Sequence, residues 1–283
     1  MKSFKDRVAV ITGAASGIGY GFADRAAQEG MKIVLADIET EKLKIAKAKL
    51  SNYGVELHAV QTDVSSYESV KNLAKETIQN FDEVNLLFNN AGVSIAPAMS
   101  WEYTLKDWEW ILGVNLYGVI HCLNEFVPRM LQQDNECQIV NTASASGLLS
   151  HSLMVPYSIT KHSVVTLSET LYNELQLLHS KINVSVLCPG LVNTNIISSD
   201  RNRNELLKNS PSFEEERANK YSRAVARIET GIKNKGIPVD DVVKIIFNAI
   251  IEKKFYILTH SWIKDKVKVR LEHIITGKNP IEP

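Results

Sequence analysis

The chain has 283 residues, with 32 basic and 32 acidic side chains and so no formal net charge. Apolar residues at 45% and charged residues at 23% exclude a disordered chain, which needs few apolar residues or a large net charge. Balanced charge gives no global pull toward nucleic acid or an anionic membrane. Three scattered cysteines, Cys122, Cys137 and Cys188, form no CxxC pair, so neither a disulfide framework nor a metal centre is expected, and a reducing cytoplasmic setting is.

From the N-terminus, residues 7–12 form a short β-branched run, too brief for a signal peptide's apolar core. Helical spacing follows over 17–29, a strand over 32–37, and a helix over 39–50 that sets Leu43, Ala46 and Leu50 on one face. Further strands are predicted at 55–62, 85–90, 138–142 and 183–187, with helices at about 66–80, 105–132 and 156–179. No run of about 18 apolar residues is found, so no membrane span is expected. Strands alternating with helices predict βαβ units and a parallel sheet covered on both faces. The stretch 196–236 departs from this pattern, with nine Lys/Arg and six Asp/Glu. It reads as an insertion with one or two polar helices, either a solvated loop or a lid over a site. A helix at 238–252, a strand at 255–258 and a last helix at 263–275 complete the chain. The lysines and arginine of that last helix read as a solvated face.

The first strand runs into Thr12-Gly13-Ala14-Ala15-Ser16-Gly17-Ile18-Gly19 and then a helix. Glycines at such a turn let the backbone approach a pyrophosphate, and the helix N-terminus offers unpaired N–H groups. The spacing is GxxxGxG, not the commoner GxGxxG. Asp37 closes the second strand, 20 residues after Gly17. Its carboxylate there can accept hydrogen bonds from both adenosine ribose hydroxyls and repel a 2′-phosphate, favouring NAD over NADP. With Ser16 in the glycine turn and Ile38 after the acid, no Arg or Lys is expected to offer a compensating phosphate contact and no guanidinium to lie near Asp37; the alternative for Asp37 is a helix cap. Asp63 and Val64, after the third strand, either reach the adenine edge or cap the next helix.

Downstream, a strand ends at Ser144, and Tyr157 follows thirteen residues later, with Lys161 at i+4 on the same helical face. A phenol near pKa 10 is a poor proton carrier at neutral pH, and a neighbouring ammonium is expected to lower it. Ser144 can hydrogen-bond a substrate oxygen whose charge changes.

With Asn89-Asn90-Ala91-Gly92, Asn115 and Pro189-Gly190-Leu191-Val192-Asn193-Thr194, these segments resemble the short-chain dehydrogenase/reductase family. The resemblance runs continuously over residues 5–194 and more loosely to the final strand. It implies an α/β fold: a single Rossmann-like domain over 1–283, a doubly wound parallel sheet of about seven strands with helices on both faces. Residues 195–236 would be a substrate-side lid and 262–283 a C-terminal helix and tail. It further implies an NAD(P) site and redox chemistry at a hydroxyl or carbonyl carbon. Tyr157 would be the general acid/base, Lys161 would bind the nicotinamide ribose, and Ser144 would orient the substrate oxygen. Asn115 would hold a water linked to the lysine. Gly13, Ser16, Gly17, Ile18 and Gly19 would cradle the coenzyme, with Asn90, Ala91 and Gly92 on the adenosine side. Pro189, Gly190, Val192 and Thr194 would meet its carboxamide or pyrophosphate end. One departure is Ala143, where the family carries a second serine.

Substrate is expected to meet Ser94, Ile95, Ser146, Leu148, Leu149, Met154, Leu191 and Ile196, mostly apolar groups with no cation among them. His151 reads as a surface residue. The pattern favours a neutral, partly hydrophobic alcohol or ketone. Pairing of the 105–132 and 156–179 helices into a homodimer or homotetramer is expected, on the strength of Trp108, Ile111, Leu167 and Leu171. The competing functions are an isomerase or dehydratase with a transiently oxidised bound cofactor, and a nucleotide-sensing protein without turnover.

Overall fold

Early apolar runs become strands because both their faces find cover. In the computed structural model, which describes residues 1, 3–133 and 135–283, β1 (Val8–Thr12) is buried throughout and β2 (Lys32–Asp37) at every residue after Lys32. With β3 (Leu57–Gln61), β4 (Leu86–Asn89), β5 (Cys137–Thr142), β6 (Ile182–Cys188) and β7 (Tyr256–Leu258) they form one sheet. Its order is β3-β2-β1-β4-β5-β6-β7 and every pairing is parallel.

Parallel neighbours need crossovers, and helices supply them. In chain order these are α1 (Gly17–Gln28), α2 (Thr40–Leu50), α3 (Tyr67–Phe81), α4 (Leu105–Leu112), α5 (Gly118–Gln133) and α6 (Val155–Leu177). Then come α7 (Pro211–Lys220), α8 (Ser222–Lys235), α9 (Val239–Ile251) and α10 (Ser261–Ile275). Alternate strand residues face opposite layers. Val8 and Val10 pack with α3, α5 and α6, whereas Ala9 and Ile11 pack with α1, α2 and α9. In the second layer the Phe22 ring lies 4.4 Å from Phe88 and 4.9 Å from Phe247. Because β1 sits between β2 and β4, the winding reverses beside it, and a crevice opens at the strands' C-terminal ends.

Two features depart from the sequence-based expectation. The helix expected over 105–132 is broken by a π turn, Gly113–Tyr117, joining α4 to α5. Such a turn re-aims side chains locally, and here it buries Asn115 completely. The continuous span Leu105–Gln133 is also long and apolar enough, by length and composition, to cross a membrane, contrary to expectation. Half of its most apolar window is buried inside the protein, where Ile111, Val119 and Phe126 fill the core. That core accounts for the apolarity. Ile111 and Leu171, invoked above for subunit pairing, are likewise core residues, and Trp108 and Leu167 pack partly against it. The apolar side chains that these helices do expose include Leu105, Ile159, Tyr172 and Leu177.

The second departure lies in the polar stretch after β6. It forms two short 3₁₀ turns, Ile196–Asn202 and Glu205–Leu207, then α7 and α8, the two polar helices expected there; the departure is in its charges. Its charges are not all solvated. Arg203 and Arg217 are buried, donating to Asp107 Oδ1 at 2.8 Å and Oδ2 at 2.9 Å. Asp107 also completes the capping box of α4, accepting from Thr104 N at 3.0 Å. Three buried charges hold together only because each is paired. Tyr221 adds an apolar anchor in a cluster with Val93, Ile95, Tyr103 and Trp110.

Candidate active site

The turn after β1 is shaped by close approach. Gly13 has φ +65°, and a methyl group there would lie 3.0 Å from Ala91 Cα. One at Gly19 would lie 2.1 Å from the Gly13 carbonyl oxygen, so only glycine fits. Thr12 Oγ1 accepts from the N–H groups of Asn90 and Ala91, both at 3.0 Å, and Asn90 Nδ2 donates to Thr12 O at 3.0 Å. These bonds join the ends of β1 and β4 into one floor.

Asp37, at the end of β2, is 9% exposed. Its Oδ2 accepts from Ala15 N at 2.9 Å and its Oδ1 from Glu39 N at 3.0 Å. Burial pushes its pKa up, and these backbone bonds oppose that rise. A carboxylate has about four acceptor positions, so Asp37 keeps acceptor capacity for hydroxyl donors from a ligand. The Asp37 carboxylate therefore braces the glycine turn as well as facing the cleft.

A cleft of about 470 Å³ runs from Asp37 at one end to Tyr157 and Lys161 at the other. That volume suits an organic cofactor. Gly13, Ser16, Gly17 and Ile18 line it from the glycine turn, and Asp63 and Val64 from the loop after β3. Asn90, Ala91 and Gly92 form its floor; Pro189 and Thr194 reach it from the segment after β6. The cradle and the terminal carboxylate fit a dinucleotide. Five of the anticipated catalytic and coenzyme-binding residues do not line it, and of the expected substrate contacts only Ile196 does. Gly19 is packed on Gly13 as described. Gly190 N donates to Thr259 Oγ1 at 3.0 Å, against His260. Val192 is a core residue bridged to Ile237. Asn115 and Ser144 stand just behind the lining.

Asn115 Oδ1 accepts from Val93 N at 2.8 Å, and its Nδ2 donates to Val93 O at 2.9 Å. A methyl at Gly92 would lie 3.4 Å from both Asn115 Oδ1 and Lys161 Nζ, which places these two groups against the same point of the floor. Ser144 Oγ accepts from Ser146 N at 3.1 Å. Lys161 Nζ donates to Thr142 O at 2.9 Å and lies 5.8 Å from the Tyr157 ring centroid.

Burial raises the Tyr157 phenol above its ordinary pKa, and its hydrogen bond with Ser144 pulls the other way. The lysine is expected from sequence to lower it; instead desolvation dominates, and the Nζ is turned to the Thr142 carbonyl. Tyr157 therefore holds its proton at neutral pH and can donate it. Burial also brings Lys161 down to about 8. Ionised lysine is thus disfavoured in the folded chain, fully below pH 8, and the penalty fades as pH rises from 8 toward the unfolded value of 10.5. Wild type should therefore gain roughly 2–3 kcal/mol relative to Lys161→Met between pH 7 and pH 10. Urea denaturation at the two pH values measures this, and parallel behaviour of both proteins would contradict it.

Sequence reasoning missed several lining residues. Trp110 faces the cleft from α4, and Ser199, Arg201, Asn202 and Leu207 reach it from the polar stretch, beside the anticipated Ile196. Ser199 Oγ accepts from Ser94 N at 3.1 Å, closing that stretch against the loop after β4. Arg201 and Asn202 bind Glu39, more than 160 positions earlier, and so stand beside Asp37. No local sequence signal marks such a contact. The expectation that no guanidinium lies near Asp37 is corrected by Arg201.

The family model for short chain dehydrogenases matches residues 7–205. Over 282 residues the chain is 32% identical to a CLA biosynthesis dehydrogenase/reductase of Lactiplantibacillus plantarum, covering 99% of this chain and 97% of that protein. It is also 32% identical over 284 residues to a C alpha-dehydrogenase of Sphingobium sp., covering 100% of this chain and 90% of the relative. Among solved structures, a short chain dehydrogenase/reductase from Burkholderia phymatum in complex with NAD superposes with a TM-score of 0.93 at 41% identity. That match covers 100% of this chain and 99% of the other.

Proposed function

The chain belongs to the short-chain dehydrogenase family of oxidoreductases acting on CH–OH groups, and on that premise we propose that it interconverts a secondary alcohol and a ketone, with NAD(H) as coenzyme and Tyr157 as acid/base. An aldehyde and primary alcohol would undergo the same chemistry. One observation carries the reading: a single cleft joins Asp37 at one end to Tyr157 and Lys161 at the other, with Ser144 hydrogen-bonded to Tyr157.

When bound, the nicotinamide supplies or accepts the hydride. The chain's own residues manage the rest. Tyr157 gives its proton to the carbonyl oxygen in reduction and takes it back in oxidation. Ser144 donates a second hydrogen bond to that oxygen and so stabilises charge developing there. Lys161, held by Thr142 O, stands between Tyr157 and the floor at Gly92 and favours the phenolate when it forms. Asn115, fixed by both polar atoms of the Val93 backbone, keeps that floor in register.

Val93, Trp110, Val114 and Leu207 give the cleft apolar walls, which suits a neutral, partly hydrophobic substrate. The segment 195–236 acts as a lid pinned to Asp107, within one domain over 1–283 whose C-terminal helix and tail follow from 262. Incubating the full chain with secondary alcohols or ketones and each coenzyme tests the function through absorbance at the nicotinamide band. Product without net coenzyme turnover, or binding without product, would overturn it.

The family relationship also supports a homodimer or homotetramer in the cytoplasm. The apolar side chains left exposed on α4 and α6, Leu105, Ile159, Tyr172 and Leu177, are the surface for it. Light scattering at micromolar concentration should return a multiple of the 31.6 kDa chain mass. The mass of a single chain would refute the assembly.

A further inference from the structure

Around Asp37 the cleft wall carries more charge than one carboxylate. Asp37, Ile38, Glu39, Arg201 and Asn202 share this end of the cleft. Glu39 is the hub. Its Oε1 accepts from Arg201 Nη2 at 2.7 Å and from Asn202 Nδ2 at 3.1 Å, while Oε2 meets Lys42 Nζ at 2.6 Å and Arg201 Nε at 3.4 Å. Arg201 Nη1 is occupied too, donating to Ser198 O at 2.7 Å. The Glu39 side chain is only 18% exposed, so the cluster is partly shielded from solvent. Its own N–H is bonded to Asp37 Oδ1, which fixes the hub beside the ribose-binding acid.

A guanidinium at this place is the group that phosphate recognition ordinarily employs, through paired N–H donors. Here those donors already point at a carboxylate. We propose that Glu39 is a second determinant of coenzyme choice, holding Arg201 away from the position where the 2′-phosphate of NADP would lie. This rests on the reading that Asp37 receives the adenosine ribose. Asp37 repels the phosphate directly, and Glu39 removes the cation that would compensate. Lys42, on the same carboxylate, is restrained alongside Arg201.

Glu39→Gln frees the guanidinium while keeping the side chain's size and one acceptor. Calorimetric titration of the full chain with NAD⁺ and with NADP⁺ reads the effect without needing a substrate. In the Gln variant the dissociation constant for NADP⁺ should fall about tenfold, while that for NAD⁺ changes less than about threefold. The gain should shrink as salt is raised, because the pair is partly exposed. Glu39→Gln combined with Arg201→Gln should lose the gain. That double variant separates the role of Arg201 from mere removal of a negative charge, which would persist in it. An unchanged NADP⁺ affinity in Glu39→Gln, or a gain surviving in the double variant, overturns the proposal while leaving Asp37 in place. Equal affinity of the wild type for both nucleotides would instead overturn the Asp37 reading, and this one with it.

Discussion

Tyr157→Phe should lower turnover by about 10²- to 10⁴-fold, the usual loss when a positioned general acid is removed, with NAD affinity near wild type. The ring is retained, and it is the ring that packs against the cluster of Val93, Ile95 and Trp110. Only the hydroxyl goes, and with it the proton held in readiness for the substrate oxygen. Burial keeps the phenol protonated, so the deleted atom is the donor in reduction. Lys161 loses nothing directly, since its Nζ donates to the Thr142 carbonyl. Steady-state rates on any alcohol or ketone that turns over, beside calorimetric NAD binding, test this. A kcat within tenfold of wild type would remove Tyr157 from the assigned role.

The parts of this site that could be read from sequence are those whose physics is local. Central parallel strands are covered on both faces, so β1, β2 and β4 stand out as short apolar runs. Tyr157 and Lys161 share a helical face through their spacing alone, and the glycine turn declares itself by composition. The π turn at Gly113–Tyr117 is silent, because its residues continue the pattern of the helices it joins. Arg203 and Arg217 looked like surface charges because their partner, Asp107, lies 96 and 110 positions earlier. Glu39 and Arg201 are hidden for the same reason. The direction of the Tyr157 shift was also out of reach: spacing places an ammonium nearby, but burial decides which influence wins.

Coenzyme choice offers the other large effect. Wild type should prefer NAD over NADP by more than about a hundredfold in kcat/KM. Two hydroxyl bonds to the Asp37 carboxylate would each contribute roughly 1.5–3 kcal/mol, and about 1.4 kcal/mol is a factor of ten. A 2′-phosphate would forfeit one of them and set a second anion against a carboxylate that is 9% exposed. Arg201 does not relieve that repulsion, since Glu39 engages it. Combining Asp37→Ser with Ile38→Arg changes both sides of the balance. Serine removes the charge and leaves a single acceptor for the N–H groups of Ala15 and Glu39, so the glycine turn is held less firmly and NAD binds more weakly. Ile38 is 37% exposed and lines the same end of the cleft, so an arginine there has room to extend. Unlike Arg201, it would have no carboxylate already assigned to it. The ratio of kcat/KM for the two coenzymes should therefore shift toward NADP by at least about a hundredfold. Equal use of NADP by the wild type, or an unmoved ratio in the double variant, would show that Asp37 does not set the choice.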